Sequence, residues 1–228
     1  MRRTRGWKVR TPSLHFLYRC LLRAFGPQGW WPADSPFEMM VGAILTQATS
    51  WHNAERAIER LKREGALAPR RVLAMPRARL ERTIRPAGYF RQKARRLRAL
   101  TSWYIKRYAG SARRMFRTSC QLLRDELLDL HGIGPETADS ILLYAGNQPV
   151  FVVDAYTTRV LNRHRLIRRA SRYEQVQAFA VRELPMSPKV YNECHALLVA
   201  VGKRYCHRRK PDCQRCPLRD LPHTVEVC

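Results

Sequence analysis

Leu130-His131-Gly132-Ile133-Gly134-Pro135-Glu136-Thr137-Ala138, followed shortly by Phe151-Val152-Val153-Asp154, is the stretch on which the reading of this chain turns. Leu122, Leu123, Leu127 and Leu130 give the preceding segment a helical apolar face, and Ala138, Ile141, Leu142 and Ala145 do the same afterwards. Gly132 and Gly134 permit the positive φ values of a tight turn, and Pro135 suits the first position of the next helix. Residues at about 122–145 therefore read as helix, hairpin, helix. Backbone N–H groups at Gly132, Ile133 and Gly134, with Thr137 in the following turn, suit one phosphate of a nucleic acid, gripped without reading sequence. An ordinary helix–helix turn shows the same pattern, so the composition has to weigh between them.

The 228 residues hold 43 Lys and Arg against 18 Asp and Glu, a formal charge of +25. So large an excess points to a polyanionic partner. The basic residues cluster at Arg2-Arg3-x-Arg5, Arg91-x-Lys93-x-Arg95-Arg96-x-Arg98, Arg113-Arg114 and Arg163 to Arg172. With 45% hydrophobic residues the chain can build one large domain or two small ones, which excludes a disordered basic tail. No apolar run approaches the ~18 residues of a membrane span, and no signal-peptide core follows the N-terminal arginines. The expectation is an intracellular, cytoplasmic protein beside the nucleoid, monomeric, with cysteines reduced or bound to metal.

Helix is the dominant pattern. Ser35-Pro36-Phe37-Glu38 has a capping-box arrangement and opens an apolar-periodic segment through Met40, Val41, Ile44 and Leu45. Further helices are predicted at about 53–64, 70–74, 78–84, 91–108, 155–164, 173–184 and 188–205, with Pro69, Pro76, Pro86, Pro149, Pro185 and Pro188 at their boundaries. Val150 to Val153 has the composition of a short strand. The predicted fold class is all-α.

Cys206, Cys213 and Cys216 have the spacing C-x6-C-x2-C, and Cys228 ends the chain. Soft thiolates this dense serve either tetrahedral zinc or an iron–sulfur cluster. Cys20, Cys120 and Cys194 fall within helical patterns and read as buried thiols.

The hairpin, Asp154 eighteen residues beyond Glu136, the Gln47-Ala48-Thr49 segment and the terminal cysteines together resemble the helix–hairpin–helix base-excision DNA glycosylases of the endonuclease III type. The resemblance covers roughly residues 14–217. It implies a two-lobed fold: a six-helix domain at 37–148, and a second helical lobe from 1–36 with 149–228 carrying a cysteine cluster loop at 206–228. It also implies a [4Fe-4S] cluster bound through C-x6-C-x2-C-x5-C. Cys206, Cys213 and Cys216 match its first three ligands, but Pro222 stands at the fourth, so Cys228 is the expected substitute, with a labile or absent cluster, or zinc, as alternatives.

The same resemblance sharpens the chemistry. Bifunctional relatives place a nucleophilic lysine where this chain has Glu136, and a carboxylate forms no imine. Strand cleavage by that route is therefore not expected, and Glu136 is left to favour the helix N-terminus or to act in the site. Asp154, as N-cap of a helix beginning at Ala155, is kept ionised and suits stabilisation of the positive charge that develops when a glycosidic bond breaks. Trp30-Trp31-Pro32 and Trp51 resemble the base pocket of the 3-methyladenine DNA glycosylase branch, with Trp31 and Trp51 enclosing the base, Trp30 and Pro32 shaping the pocket, and Gln47 filling the gap left by a flipped nucleotide. The expected function is a monofunctional glycosylase acting on alkylated purines in damaged double-stranded DNA. The alternatives are an endonuclease III-type glycosylase for oxidised or mismatched bases, and a non-catalytic binder of DNA structure.

Overall fold

A computed structural model describes residues 12–224; the basic cluster at Arg2, Arg3 and Arg5 and the expected ligand Cys228 lie outside the described residues. The described residues form helices and connecting loops with no strand. They divide into two compact units, one spanning Trp31–Val150 and the other joining the chain before Trp31 to the chain from Phe151 onward. The first helix, α1 (Leu14–Phe25), belongs to the latter; Ser13 caps it by accepting from Phe16 N–H, and Leu14, Leu17 and Leu21 are buried.

The middle unit is built from α2 (Pro36–Leu45), α3 (Trp51–Arg63), α4 (Pro69–Ala74), α5 (Arg77–Thr83), a 3-10 turn at Arg85–Ala87, α6 (Phe90–Tyr108), α7 (Ala112–Met115), α8 (Cys120–Leu128) and α9 (Pro135–Ser140). Capping serines and N1 prolines set several starts: Ser35 Oγ accepts from Glu38 N–H at 3.1 Å with Pro36 at N1, and Ser50 opens α3 in the same manner. The reciprocal half of the predicted capping box is displaced by one residue. Glu38 accepts from the backbone N–H of Asp34 at 3.2 Å and pairs with Lys62 at 2.6 Å. Helix α3 is strongly two-faced: Ala54, Ala57, Ile58 and Leu61 are buried, while its basic last turn opposes the negative C-terminal end of the helix dipole.

Beyond Ser140 the α9 helix continues through Ile141–Ala145 as a π turn, with Gly146 N–H bonded to Ile141 O at 3.2 Å. That wider turn lets Ile141, Leu142 and Leu143 all be buried. In α8 the expected apolar face is narrower than its leucines implied. Leu123 and Leu127 are fully buried, but Leu122 is 49% exposed, because α8 offers one stripe to the core and Leu122 falls off it.

The other unit adds α10 (Ala155–Arg163), α11 (Tyr173–Glu183) and α12 (Pro188–Arg204) to α1. Residues 150–153 form no strand, correcting the strand expected there. Their polar groups are met by side chains instead: Gln177 Nε2 donates to Phe151 O at 2.7 Å, and the Tyr173 hydroxyl accepts from Val153 N–H at 3.4 Å. Phe151, Val152 and Val153 are buried, and Phe151 meets the Tyr191 ring edge to face.

Candidate active site and metal loop

The hairpin ahead of α9 uses its two glycines differently. Gly132 has φ +82°, and a Cβ there would collide with the Arg96 side chain. Gly134 is the N-cap of α9 with φ −99° and open space around it, so the positive φ expected at both glycines occurs only at Gly132. Gly132→Ala should therefore cost about 1–2 kcal/mol from the left-handed backbone, and more from the displaced Arg96. Gly134→Ala should be nearly silent, and parallel thermal melts of the two variants separate these outcomes.

Gln47 ties this hairpin to the end of α2. Its Nε2 donates to Gly132 O and to Thr137 Oγ1, each at 3.0 Å, while its Oε1 accepts from Arg96 at 2.6 Å. The amide expected to fill a gap in DNA is thus spent on holding the hairpin in this conformation. Thr137 and Ile133 are buried, whereas Glu136 is exposed in the first turn of α9. Of the basic run in α6, Lys93 is buried, Arg96 holds Gln47 and Arg98 donates to the carbonyls of Leu73 and Met75 at 3.0 Å, so only Arg91 and Arg95 of the run are exposed. At the start of α6, Tyr89 is 67% exposed with φ +44°, an aromatic ring held toward solvent on strained backbone.

The expected aromatic residues divide. Trp31 and Trp51 meet at 4.8 Å with planes at 84°, and Tyr144 from the π turn joins Trp31 at 5.4 Å. Trp31 lies against Gly42, where a Cβ would stand 3.2 Å from the indole. Edge-to-face rings leave no slot between Trp31 and Trp51, so a flat ligand can enter between them only if one ring swings aside. Trp30 falls in the other unit, with Lys203 over its ring at 5.7 Å, and Pro32 is exposed. Tyr144 was not identified from the sequence, since only the π turn aims it at Trp31.

Asp154 is the N-cap of α10, its Oδ1 accepting from Thr157 N–H at 2.6 Å. Its Oδ2 lies 3.6 Å from Nε2 of the buried His195 on α12, and the carboxylate keeps 13% exposure. Burial alone would raise the acid's pKa; His195 and the Thr157 hydrogen bonds outweigh it and hold the carboxyl below its ordinary value. His195 sits 41 residues away in sequence, within a helix pattern that explains it as core, so nothing in the sequence marked it.

Cys206, Cys213 and Cys216 line one pocket with Arg163, His164 and His223. Arg163 organises it: its guanidinium donates to Cys206 Sγ at 3.1 Å, to His207 O at 2.8 Å and to Arg208 O at 3.0 Å. Burial pushes the Cys213 and Cys216 thiols up, and the nearby Cys206 sulfur adds to both, while the Arg163 guanidinium works the other way on Cys213. Three sulfurs around a pocket with a guanidinium on one sulfur are a donor set that fits an iron–sulfur cluster.

Over residues 41–186 the chain matches the family described as the HhH-GPD superfamily base excision DNA repair protein, and over 206–221 the iron–sulfur binding domain of endonuclease III. A relative from Methanocaldococcus jannaschii with the provisional name DNA repair glycosylase MJ1434 is 42% identical over 210 residues, 91% of this chain and 94% of its own. Endonuclease III of Bacillus subtilis is 28% identical over 192 residues, covering 82% and 81%. A solved non-covalent complex of endonuclease III with DNA is similar with a TM-score of 0.79 and 25% identity, over 92% of this chain and 93% of that one. The 3-methyladenine DNA glycosylase of H. pylori, bound to 1,N6-ethenoadenine, gives 0.75 and 25%, over 85% and 98%.

Proposed function

The chain belongs to the HhH-GPD superfamily of base-excision DNA repair proteins, and from that premise we propose that it is a monofunctional DNA glycosylase releasing alkylated purines such as 3-methyladenine from double-stranded DNA. The observation that carries the reading is the Trp31–Trp51–Tyr144 aromatic cluster on Gly42. An alkylated purine is cationic and stacks well on electron-rich indole faces. Its glycosidic bond is already weakened, so it requires little acid catalysis. The base must leave the duplex to be cut, and one indole swinging aside is the movement that admits it.

Asp154 supplies the negative charge. As the bond to the base breaks, positive charge grows on the sugar, and a carboxylate fixed by Thr157 and faced by His195 stabilises it without reorganising. The same carboxylate can orient or deprotonate the attacking water. The Gly132–Gly134 hairpin, fixed by Gln47 and Arg96, offers the backbone N–H groups of Gly132 and Gly134 to a phosphate, while that of Ile133, expected to join them, is spent on Leu130 O at 3.0 Å; the net charge of +25 draws the polyanion in. Cys206, Cys213 and Cys216 would hold a [4Fe-4S] cluster with a fourth donor from the segment after Cys216, where the chain has His223 and Cys228. Such a cluster, when bound, would cross-link the loop that carries these cysteines.

Incubation with methylated and with oxidised duplexes tests this reading, scoring free base and strand breaks separately. Release of 3-methyladenine without a borohydride-trapped adduct is the expected result. Release of oxidised pyrimidines instead would favour the second reading, an endonuclease III-type specificity, which the resemblance to the Bacillus subtilis enzyme supports. Glu136→Lys should gain a trapped adduct that the wild-type protein lacks, because an amine then stands where the carboxylate was; failure of wild type to differ from lyase-active relatives in that assay would remove the monofunctional reading.

A further inference from the structure

The segment after Cys216 departs from the endonuclease III spacing by placing Pro222 where a fourth cysteine falls, and the next residue is His223. His223 lines the same pocket as the three cysteines. Its Nδ1 lies 2.7 Å from Leu221 O. A carbonyl oxygen only accepts, so Nδ1 carries a proton in this contact, and Nε2 is the nitrogen whose lone pair serves a metal in the neutral ring. Fixing one imidazole nitrogen on a backbone carbonyl is the usual way a protein orients a ligating histidine.

The neighbouring contacts hold this segment against α10. Thr224 N–H donates to Arg163 O at 2.8 Å, and His164 Nδ1 donates to Pro222 O at 3.1 Å. Arg163, whose carbonyl anchors Thr224, is also the residue whose guanidinium reaches Cys206 Sγ. One α10 residue therefore ties both the first cysteine and the residue following His223 to the same helix end. His164 is spent on positioning Pro222, with its ring 5.7 Å from that of His223.

We propose that His223, through Nε2, is the fourth ligand of the iron–sulfur cluster, completing a C-x6-C-x2-C-x6-H set. The bond is a donation of the Nε2 lone pair to iron, with the proton staying on Nδ1 and no change of oxidation state. A neutral imidazole in place of a thiolate makes the cluster one unit less negative and raises its reduction potential. The proposal rests on the cluster reading above, and the experiment separates the two.

The full-length chain, prepared without oxygen and reconstituted with iron and sulfide, is compared with His223→Ala, His223→Cys and Cys228→Ser. Iron, sulfide and broad visible absorption establish whether a cluster is present at all. Pulsed EPR of its paramagnetic form, with and without 15N-labelled histidine, reads nitrogen coordination directly. The expected result is strong histidine-nitrogen coupling in wild type and in Cys228→Ser. In His223→Cys the iron content should be kept, the coupling lost and the potential lowered, while His223→Ala should lose most of its iron. A cluster without nitrogen coupling, or one lost in Cys228→Ser, overturns His223 and leaves the cluster standing. Absence of iron and sulfide from every sample overturns both.

Discussion

Asp154→Asn should slow base release by about 10²–10³-fold while duplex affinity stays unchanged. The amide has the shape of the carboxylate but no charge to set against the cationic sugar. It also keeps the cap: an Asn oxygen accepts from Thr157 N–H as well as an Asp does, so α10 remains intact and the loss cannot be assigned to unfolding. The measurement is single-turnover release of 3-methyladenine beside a binding titration and a thermal melt. Full activity in the variant would sink the assignment of the reacting charge to this residue.

The pH dependence follows from the same contacts. Burial works to raise the carboxyl's pKa, and His195 with the Thr157 bonds brings the net below the ordinary aspartate value. A depressed acid contributes stability that is present above the unfolded pKa, about 3.9, and is lost as pH falls through the lower folded value. Asp154 is thus ionised wherever the protein is folded and working. The rate of base release should show no acid limb arising from this group above about pH 4.

Much of this arrangement could be read before the structure was known, because the signals were local. Helices predicted at 155–164, 173–184 and 188–205 are observed at Ala155–Arg163, Tyr173–Glu183 and Pro188–Arg204, since capping residues and prolines act within a turn of where they stand. Asp154 was legible as an N-cap for the same reason. What stayed hidden was long-range. Gln47 reaches Gly132 across 85 positions, His195 meets Asp154 only once α10 packs beside α12, and Tyr144 reaches Trp31 through a π turn that no local rule predicts. In the basic run 91–98, residue type does not say which charges are buried. Three of its five cations serve the fold, at Lys93, Arg96 and Arg98.

Lys93→Met should lower thermal stability by about 3 kcal/mol, or roughly 10 °C. Lys93 is 1% exposed, and its ammonium donates to Leu45 O at 2.9 Å and Ala87 O at 2.8 Å. Leu45 is the last residue of α2, whose terminal carbonyls have no partner within the helix, and Ala87 ends the 3-10 turn. Methionine matches the length and apolar stem but leaves two carbonyls without this donor, a cost exceeding the relief of no longer burying a charge. Burial, with the Arg96 charge adding to it, lowers the lysine's pKa to about 8. Between that value and 10.5 the unfolded chain holds the extra proton, so wild-type stability should gain with pH across this window relative to Lys93→Met, and not below it. Buried tyrosines such as Tyr104, whose pKa is raised by burial, pull the other way at higher pH, which is why the difference between the two proteins is the quantity to follow. Leu45 stands two residues before Gln47, so a variant that stays folded should also hold the hairpin less firmly and bind duplex more weakly. A variant as stable as wild type at pH 7, with the same pH slope, would show that the ammonium is no anchor, and the position of Gln47 would have to come from α2 packing alone.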